Sequence, residues 1–201
     1  LATGAEPRRL GIPGEERFRG RGVSYCASCD GFFYRGREVY VVGGGNSAGE
    51  EALHLAALAS RVHILVRGGS MRCDDATARQ LRETPNLSVE LHRALREIRG
   101  GEAIETLLIE DTASGAVSAV AAEGAGVFIF IGYRPASDLL AGALDMDENG
   151  YLLTDESLQT NIPGVFAAGD VRRKALRQIV TAAADGALAA VQACKFLQNM
   201  V

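Results

Sequence analysis

Glu38-Val39-Tyr40-Val41-Val42-Gly43-Gly44-Gly45-Asn46-Ser47-Ala48 is a short apolar run that breaks into a glycine-rich turn. A continuous apolar run bounded by a turn is the mark of a parallel strand covered on both faces. Glu50 to Ser60 is rich in alanine and leucine and predicts a helix, and Arg61-Val62-His63-Ile64-Leu65-Val66 predicts the next strand. Strand, glycine turn, helix and strand make a βαβ unit of the dinucleotide-binding kind, so the fold class is α/β. In that context Gly43 makes the turn, Gly45 lets a pyrophosphate approach the backbone, and Ala48 lets the helix pack closely on the strand. Asn46 and Ser47 complete the candidate cofactor-binding turn, and the N-terminus of the helix that follows faces the phosphates with its positive end. A tight turn that holds no ligand is the alternative. After the second strand an acid suits a free ribose 2′-hydroxyl, and an arginine suits a 2′-phosphate. Here Val66-Arg67-Gly68-Gly69-Ser70-Met71-Arg72 has no acid, so Arg67 and Arg72 lean towards NADPH, unless each is only a solvated surface charge.

Upstream lies Cys26-Ala27-Ser28-Cys29-Asp30. Two thiols at this spacing close a small disulfide or open it by thiolate exchange, and Asp30 is placed to move the proton that exchange requires. Half of a zinc site is the competing reading. It would want a second cysteine pair or closely spaced histidines, whereas His54, His63 and His92 are scattered and Cys73 and Cys194 stand alone. A dithiol next to a dinucleotide turn suggests electrons passing from a nicotinamide to a disulfide.

The chain has 201 residues, 47% of them hydrophobic, 24 glycines and a net charge of −4. That balance gives no reason to expect nucleic acid or an anionic membrane as a partner. No apolar run approaches the roughly 20 residues that span a bilayer, and no basic-then-apolar leader is visible. The cytoplasm is the expected location. Further along, Met71 to Glu83 predicts a helix, Leu87 to Leu91 a strand, and Leu95–Arg99 with Glu102–Glu110 a hairpin, with Val117 to Ala122 adding a strand. Val127 to Ile131 and Gly164 to Asp170 predict two more strands. Ile179 to Met200 predicts an alanine-rich helix buried on one face.

Taken in order, several blocks closely resemble the low-molecular-weight flavoprotein thioredoxin reductases. They are Ala-Thr-Gly (2–4), Cys-Ala-Ser-Cys-Asp-Gly (26–31), Val-Val-Gly-Gly-Gly-Asn-Ser-Ala (41–48) and Gly-Val-Phe-Ile-Phe-Ile-Gly-Tyr-Arg-Pro (126–135). The last two are Pro-Gly-Val-Phe-Ala-Ala-Gly-Asp-Val-Arg (163–172) and Leu-Arg-Gln-Ile-Val-Thr-Ala-Ala-Ala-Asp-Gly (176–186). The resemblance implies two Rossmann-like domains, with an NADPH domain inserted in a discontinuous FAD domain. Residues 1–12 would be a remnant of the N-terminal FAD part, 13–124 the NADPH domain with its dithiol, and 125–201 the C-terminal FAD part. Hinges are expected near Gly11–Gly14 and Gly124–Gly126. Thr3, Gly4, Gly132, Gly169, Asp170, Arg177, Gln178 and Ile179 are expected at the cofactors, with Asp170 on the ribityl or pyrophosphate region and Arg177, Gln178 and Ile179 at the isoalloxazine. Electrons would run from NADPH through FAD to Cys26–Cys29 and on to thioredoxin. Cys29 would meet the flavin, Cys26 would attack thioredoxin, and Asp30 would act as general acid and base.

Two departures stand out. The family's phosphate clamp is His-Arg-Arg followed by an arginine, and here half of it is missing. A relative using ferredoxin as donor, or peroxiredoxin or a small dithiol as partner, keeps the same architecture. The family's first βαβ unit, with its own glycine motif, does not precede Leu1. A complete FAD site is therefore not expected from this chain alone, and a non-catalytic NADPH-binding module is the reading from a different class. The family is typically a homodimer.

Overall fold

The alternation of Val39 and Val41 with Tyr40 and Val42 leaves no face of this strand for water, and the fold covers both. A computed structural model describes residues 1–199. Met200, the predicted end of the last helix, and Val201 lie outside the described residues. In chain order the elements are β1 (Ala5–Pro7), β2 (Val23–Ser24), α1 (Ala27–Asp30), β3 (Glu38–Val42), α2 (Asn46–Ala56), β4 (Arg61–Val66), α3 (Asp75–Glu83), β5 (Leu87–Leu91), β6 (Arg93–Arg99), β7 (Thr106–Asp111), β8 (Val117–Ala121), β9 (Gly126–Ile129), β10 (Tyr133–Pro135) and α4 (Ile179–Gln198). The chain divides into two compact units. Arg8–Gly132 is one, and Leu1–Pro7 with the chain from Tyr133 onward is the other.

The Arg8–Gly132 unit is built on a parallel sheet in the order β2-β9-β3-β4-β5. One face carries Val39, Val41, Val62, Ile64 and Val66, packed under Ala48, Ala52 and Leu55 of α2 and Leu81 of α3. The other carries Tyr40, Val42, Leu65, Val127 and Ile129, packed on Leu95, Ile98, Leu107 and Ile109 of the antiparallel sheet β6-β7-β8. Helices on one face and a meander on the other account for strands that read as unbroken apolar runs.

Boundaries differ from expectation where a side chain or glycine has another duty. Helix α2 starts at Asn46, four residues early, because Gly45 already serves as its N-cap. Helix α3 starts at Asp75 rather than Met71. Asp74 caps it by accepting from the Thr77 N–H at 2.8 Å, while the Arg72 N–H is drawn to the Gly44 carbonyl. Strand β9 joins the nucleotide sheet between β2 and β3. That corrects its assignment, from the glycines at 124–126, to the second domain: its hydrogen-bonding edges are taken by Val23–Ser24 and Val39–Val42.

In the other unit β1 and β10 form a two-stranded antiparallel ladder, Ala5 opposite Pro135 and Pro7 opposite Tyr133. A small core gathers Leu144, Leu152, Ala167 and Val171. Residues 164–170, expected as a strand, make one bridge (Phe166 to Gln159) and end in a 3-10 turn at Gly169–Val171. A strand needs a ladder, and among the described residues no long edge runs beside this segment.

Helix α4 departs most from expectation. Ile179, Val180, Val191 and Leu197 are exposed, and only Asp185 is buried. No described element covers that apolar surface. The helix runs unbroken through Gly186. By length and composition α4 is also long and apolar enough to cross a bilayer, with a mean hydropathy of 1.3 over its window, contrary to the reading that no stretch approached that measure.

Candidate nucleotide and dithiol site

The glycine turn forms the floor of a cavity of about 780 Å³ in the Arg8–Gly132 unit. Gly43, Gly44, Gly45, Asn46 and Ser47 line it together with Arg67–Ser70, Arg72, Arg93, Arg96 and Gly132. The three glycines differ in what they do. Gly43 has φ +154°, and a Cβ there would stand 2.3 Å from the Phe130 carbonyl oxygen and 2.8 Å from the Ala48 Cβ. At Gly44 it would meet Val66, whereas at Gly45 it would meet nothing within 4 Å. Gly43 and Gly44 are thus needed by the fold, and Gly45 keeps open the space at the start of α2. Ala48 is fully buried behind the turn and does not line the cavity. The Asn46 side-chain oxygen accepts from the Asp74 N–H at 2.8 Å, tying α2 to the cap of α3. The first turn of α2 has no side-chain cap, which suits its N–H groups to an anionic ligand. Arg67 and Arg72 have no acidic partner among the described residues. The fit to a dinucleotide is good: an open glycine cradle, a helix N-terminus and unpaired cations at the end of β4.

In the same unit Cys26 and Cys29 form a disulfide. Cys26 is the N-cap of α1 and is half-buried, while Cys29 and Ser28 are exposed. The Cys29 N–H lies 3.2 Å from the Cys26 Sγ, so that sulfur is the one held against a backbone donor. Buried Ser24, on β2, gathers the motif. Its Oγ donates to Asp30 Oδ2 at 2.6 Å and accepts from the Cys26 N–H at 3.1 Å. Glu15, also buried, accepts from the N–H groups of Leu10 and Gly11 and from the Tyr25 hydroxyl at 2.7 Å. Burial, and then that hydrogen bond to Glu15, push the Tyr25 phenol well above its usual range. Beyond α1, Phe32 and Phe33 are 66% and 71% exposed. Free thiols remain at Cys73 and Cys194. Among the described residues no cluster of His, Cys, Asp and Glu could hold a metal ion.

The remaining predicted residues lie in the other unit. Thr3 and Gly4 lead into β1, and the Gly4 carbonyl accepts from the Ala136 N–H at 2.9 Å. Gly169 has φ +77°, and its N–H donates to Asp185 Oδ2 at 3.0 Å. Next to it Asp170 Oδ1 is buried with no partner, as is Arg177 Nε, whose guanidinium sits 4.0 Å from the Tyr151 ring centre. Two orphaned buried polar atoms, one of them next in sequence to a left-handed glycine, suit a polar ligand such as the chain of a flavin dinucleotide. Gln178 caps α4 in a reciprocal box with Thr181, and Ile179 is 89% exposed. Asp185 organises this corner. It takes Arg172 in a two-point pair (2.8 and 2.9 Å) and Lys174 at 2.8 Å. The Arg172 guanidinium foremost, helped by Lys174 and the Gly169 N–H, holds its carboxyl well below the usual range despite burial. Ser24, Arg93 and Arg96 belong to no short motif, and only their spatial neighbours reveal them; Asp185 stands within the 176–186 block, which does not announce its ion pairs.

A fold of this kind, with a glycine cradle and a disulfide in one unit, is that of a nucleotide-linked disulfide oxidoreductase. The chain belongs to the pyridine nucleotide-disulphide oxidoreductase family, whose model matches residues 1–186. Among curated relatives it is 45% identical to the thioredoxin reductase of Peptoclostridium acidaminophilum, covering 98% of this chain and 64% of that protein. It is 43% identical to that of Treponema pallidum, over 100% of this chain and 64% of the relative. The crystal structure of thioredoxin reductase from Streptococcus pyogenes superposes with a TM-score of 0.90 at 40% identity, over 98% of this chain and 64% of that one. The chain thus spans just under two thirds of the length of these relatives.

Proposed function

We propose that the chain is part of a thioredoxin-disulfide reductase, in which electrons from NADPH reach the Cys26–Cys29 disulfide by way of FAD and leave to thioredoxin. The observation that carries this reading is the disulfide in the same compact unit as an arginine-rimmed glycine cradle. Gly43–Ser47 and the first turn of α2 would hold the pyrophosphate, and Arg67 and Arg72 the 2′-phosphate. Asp170, Arg177, Thr3 and Gly4 would hold the flavin nucleotide, with Gln178 and Ile179 towards its ring. Bound FAD supplies two-electron exchange between a hydride donor and a disulfide.

Two electrons and two protons convert the Cys26–Cys29 bond into two thiols. Asp30, whose Oδ2 is held by Ser24, is the group nearest in sequence to take or give a proton as the bond opens or closes. Discharge is dithiol–disulfide exchange. The Cys26 thiolate attacks one partner sulfur and releases the other as a thiolate. Cys29 then attacks Cys26 of the mixed disulfide, which re-forms the ring and frees the reduced partner. Exposed Phe32 and Phe33 offer an apolar contact face beside the dithiol for a protein partner.

Chemically reduced chain, freed of reductant, should discharge onto oxidised thioredoxin, and Cys29→Ser should trap thioredoxin through Cys26. Reduction of a small aromatic disulfide with no transfer to thioredoxin would sink the assignment of partner.

A further inference from the structure

Only His92 separates β5 from β6, and it turns the corner with a left-handed φ of 55°. The corner is fastened to the loop that follows β4. The His92 N–H donates to the Gly68 carbonyl at 3.0 Å, Thr112 Oγ1 donates to the Arg67 carbonyl at 2.9 Å, and the Thr112 N–H donates to the His92 carbonyl at 2.9 Å. Arg93, next after the corner, lines the cavity with Arg67, Ser70 and Arg72. Its Nη1 donates to Asp111 Oδ2. Asp111 is itself fixed, because its Oδ1 accepts from the N–H groups of Ala113 and Ser114 at 2.9 and 3.0 Å. The guanidinium is therefore oriented through one nitrogen, leaving Nε and Nη2 for a ligand. Gly68 brings no side chain to the loop, and a Cβ there would meet nothing within 4 Å.

We infer that Arg93, oriented by Asp111, is a specificity determinant of the cavity, binding the 2′-phosphate of NADPH alongside Arg67 and Arg72 and supplying from another strand the cation that Gly68 does not. The pyrophosphate belongs at the glycine turn, whereas the end of β4 is where the adenosine ribose is read. A phosphate dianion at that end would meet three guanidinium groups, one of them pre-oriented. The inference rests on NADPH being the donor.

The test is calorimetric titration of the full chain and its Arg93→Ala variant with adenosine 2′,5′-bisphosphate and with 5′-AMP. The expected result is that the chain prefers the bisphosphate and that Arg93→Ala weakens it about tenfold, the loss typical of a charge-assisted contact, leaving 5′-AMP unchanged. A chain that does not distinguish the two ligands overturns the NADPH reading itself. A chain that does distinguish them, with Arg93→Ala binding both as before, overturns only the role of Arg93. Equal weakening of both ligands also overturns it, since Arg93 would then support the whole cavity rather than the 2′-phosphate.

Discussion

Asp185→Asn should loosen the unit that contains α4 while sparing the nucleotide unit. The carboxylate faces two cations on the segment before α4, Arg172 with its side chain 18% exposed and Lys174 at 8%, and it also receives the Gly169 N–H. Asparagine keeps the shape but removes the charge, leaving two largely buried cations without a counter-ion. Breaking a buried pair by deleting one partner costs about 3–5 kcal/mol, against a total stability of about 5–15 kcal/mol for an ordinary domain. The carboxyl's folded pKa lies below its unfolded one. Its contribution is therefore complete above the unfolded value of about 4 and is lost as the pH falls through the folded value. Native-state hydrogen exchange read by mass spectrometry separates the two units. Peptides from 164–190 should exchange at least a hundredfold faster in the variant at pH 7, while peptides from 38–66 keep their protection. A change of less than about fivefold at 164–190 would refute the view that Asp185 anchors this corner.

The glycine turn offers a paired comparison. Gly43→Ala should destabilise the nucleotide unit, visible as a lowered melting temperature, because its Cβ would stand 2.3 Å from the Phe130 carbonyl. Gly45→Ala, facing open space, should leave the melting temperature within a degree or two and yet weaken NADPH binding at least tenfold; equal melting losses in both would contradict the division of roles. Ser24→Ala should slow thiol–disulfide exchange by roughly an order of magnitude without altering the fold, because the 2.6 Å bond that holds Asp30 is lost; unchanged rates across the pH profile would exclude that role. Phe32→Ser with Phe33→Ser should leave stability near its starting value and raise the KM for thioredoxin while sparing reduction of a small disulfide; a drop in both activities would point instead to damage at the dithiol.

The β3–turn–α2–β4 unit was legible in the chain because local pattern and burial agree there, with Val39 to Val42 covered on both faces and Gly43 forced by its φ. The dithiol was legible for a similar reason, since both of its partners lie within one helical turn. What escaped depends on neighbours far along the chain. Strand β9 is flanked by segments about a hundred residues upstream, which no glycine boundary reports. The alanine-rich stretch at 179–198 has the composition of a packed helix, but its surroundings leave most of it uncovered. Arg93 falls between two predicted strands as one more charged residue, and only the corner at His92 brings it to the cavity rim.

The ladder between β1 and β10 has a consequence for the order in which the chain folds. Pro7 and Tyr133 face each other across 125 intervening residues, so pairing them from a disordered chain means closing a very long loop, an entropic cost of about 4 kcal/mol before any constant term. Three-residue strands cannot offset that. Once the intervening unit has folded, its own ends are pinned, the Arg8 N–H donating to the Gly132 carbonyl at 2.9 Å. The ladder then closes as a hairpin whose turn happens to be a whole folded body. Pulse-labelling during refolding should accordingly find the amides of β3 and β4 protected first and those of β1 and β10 later.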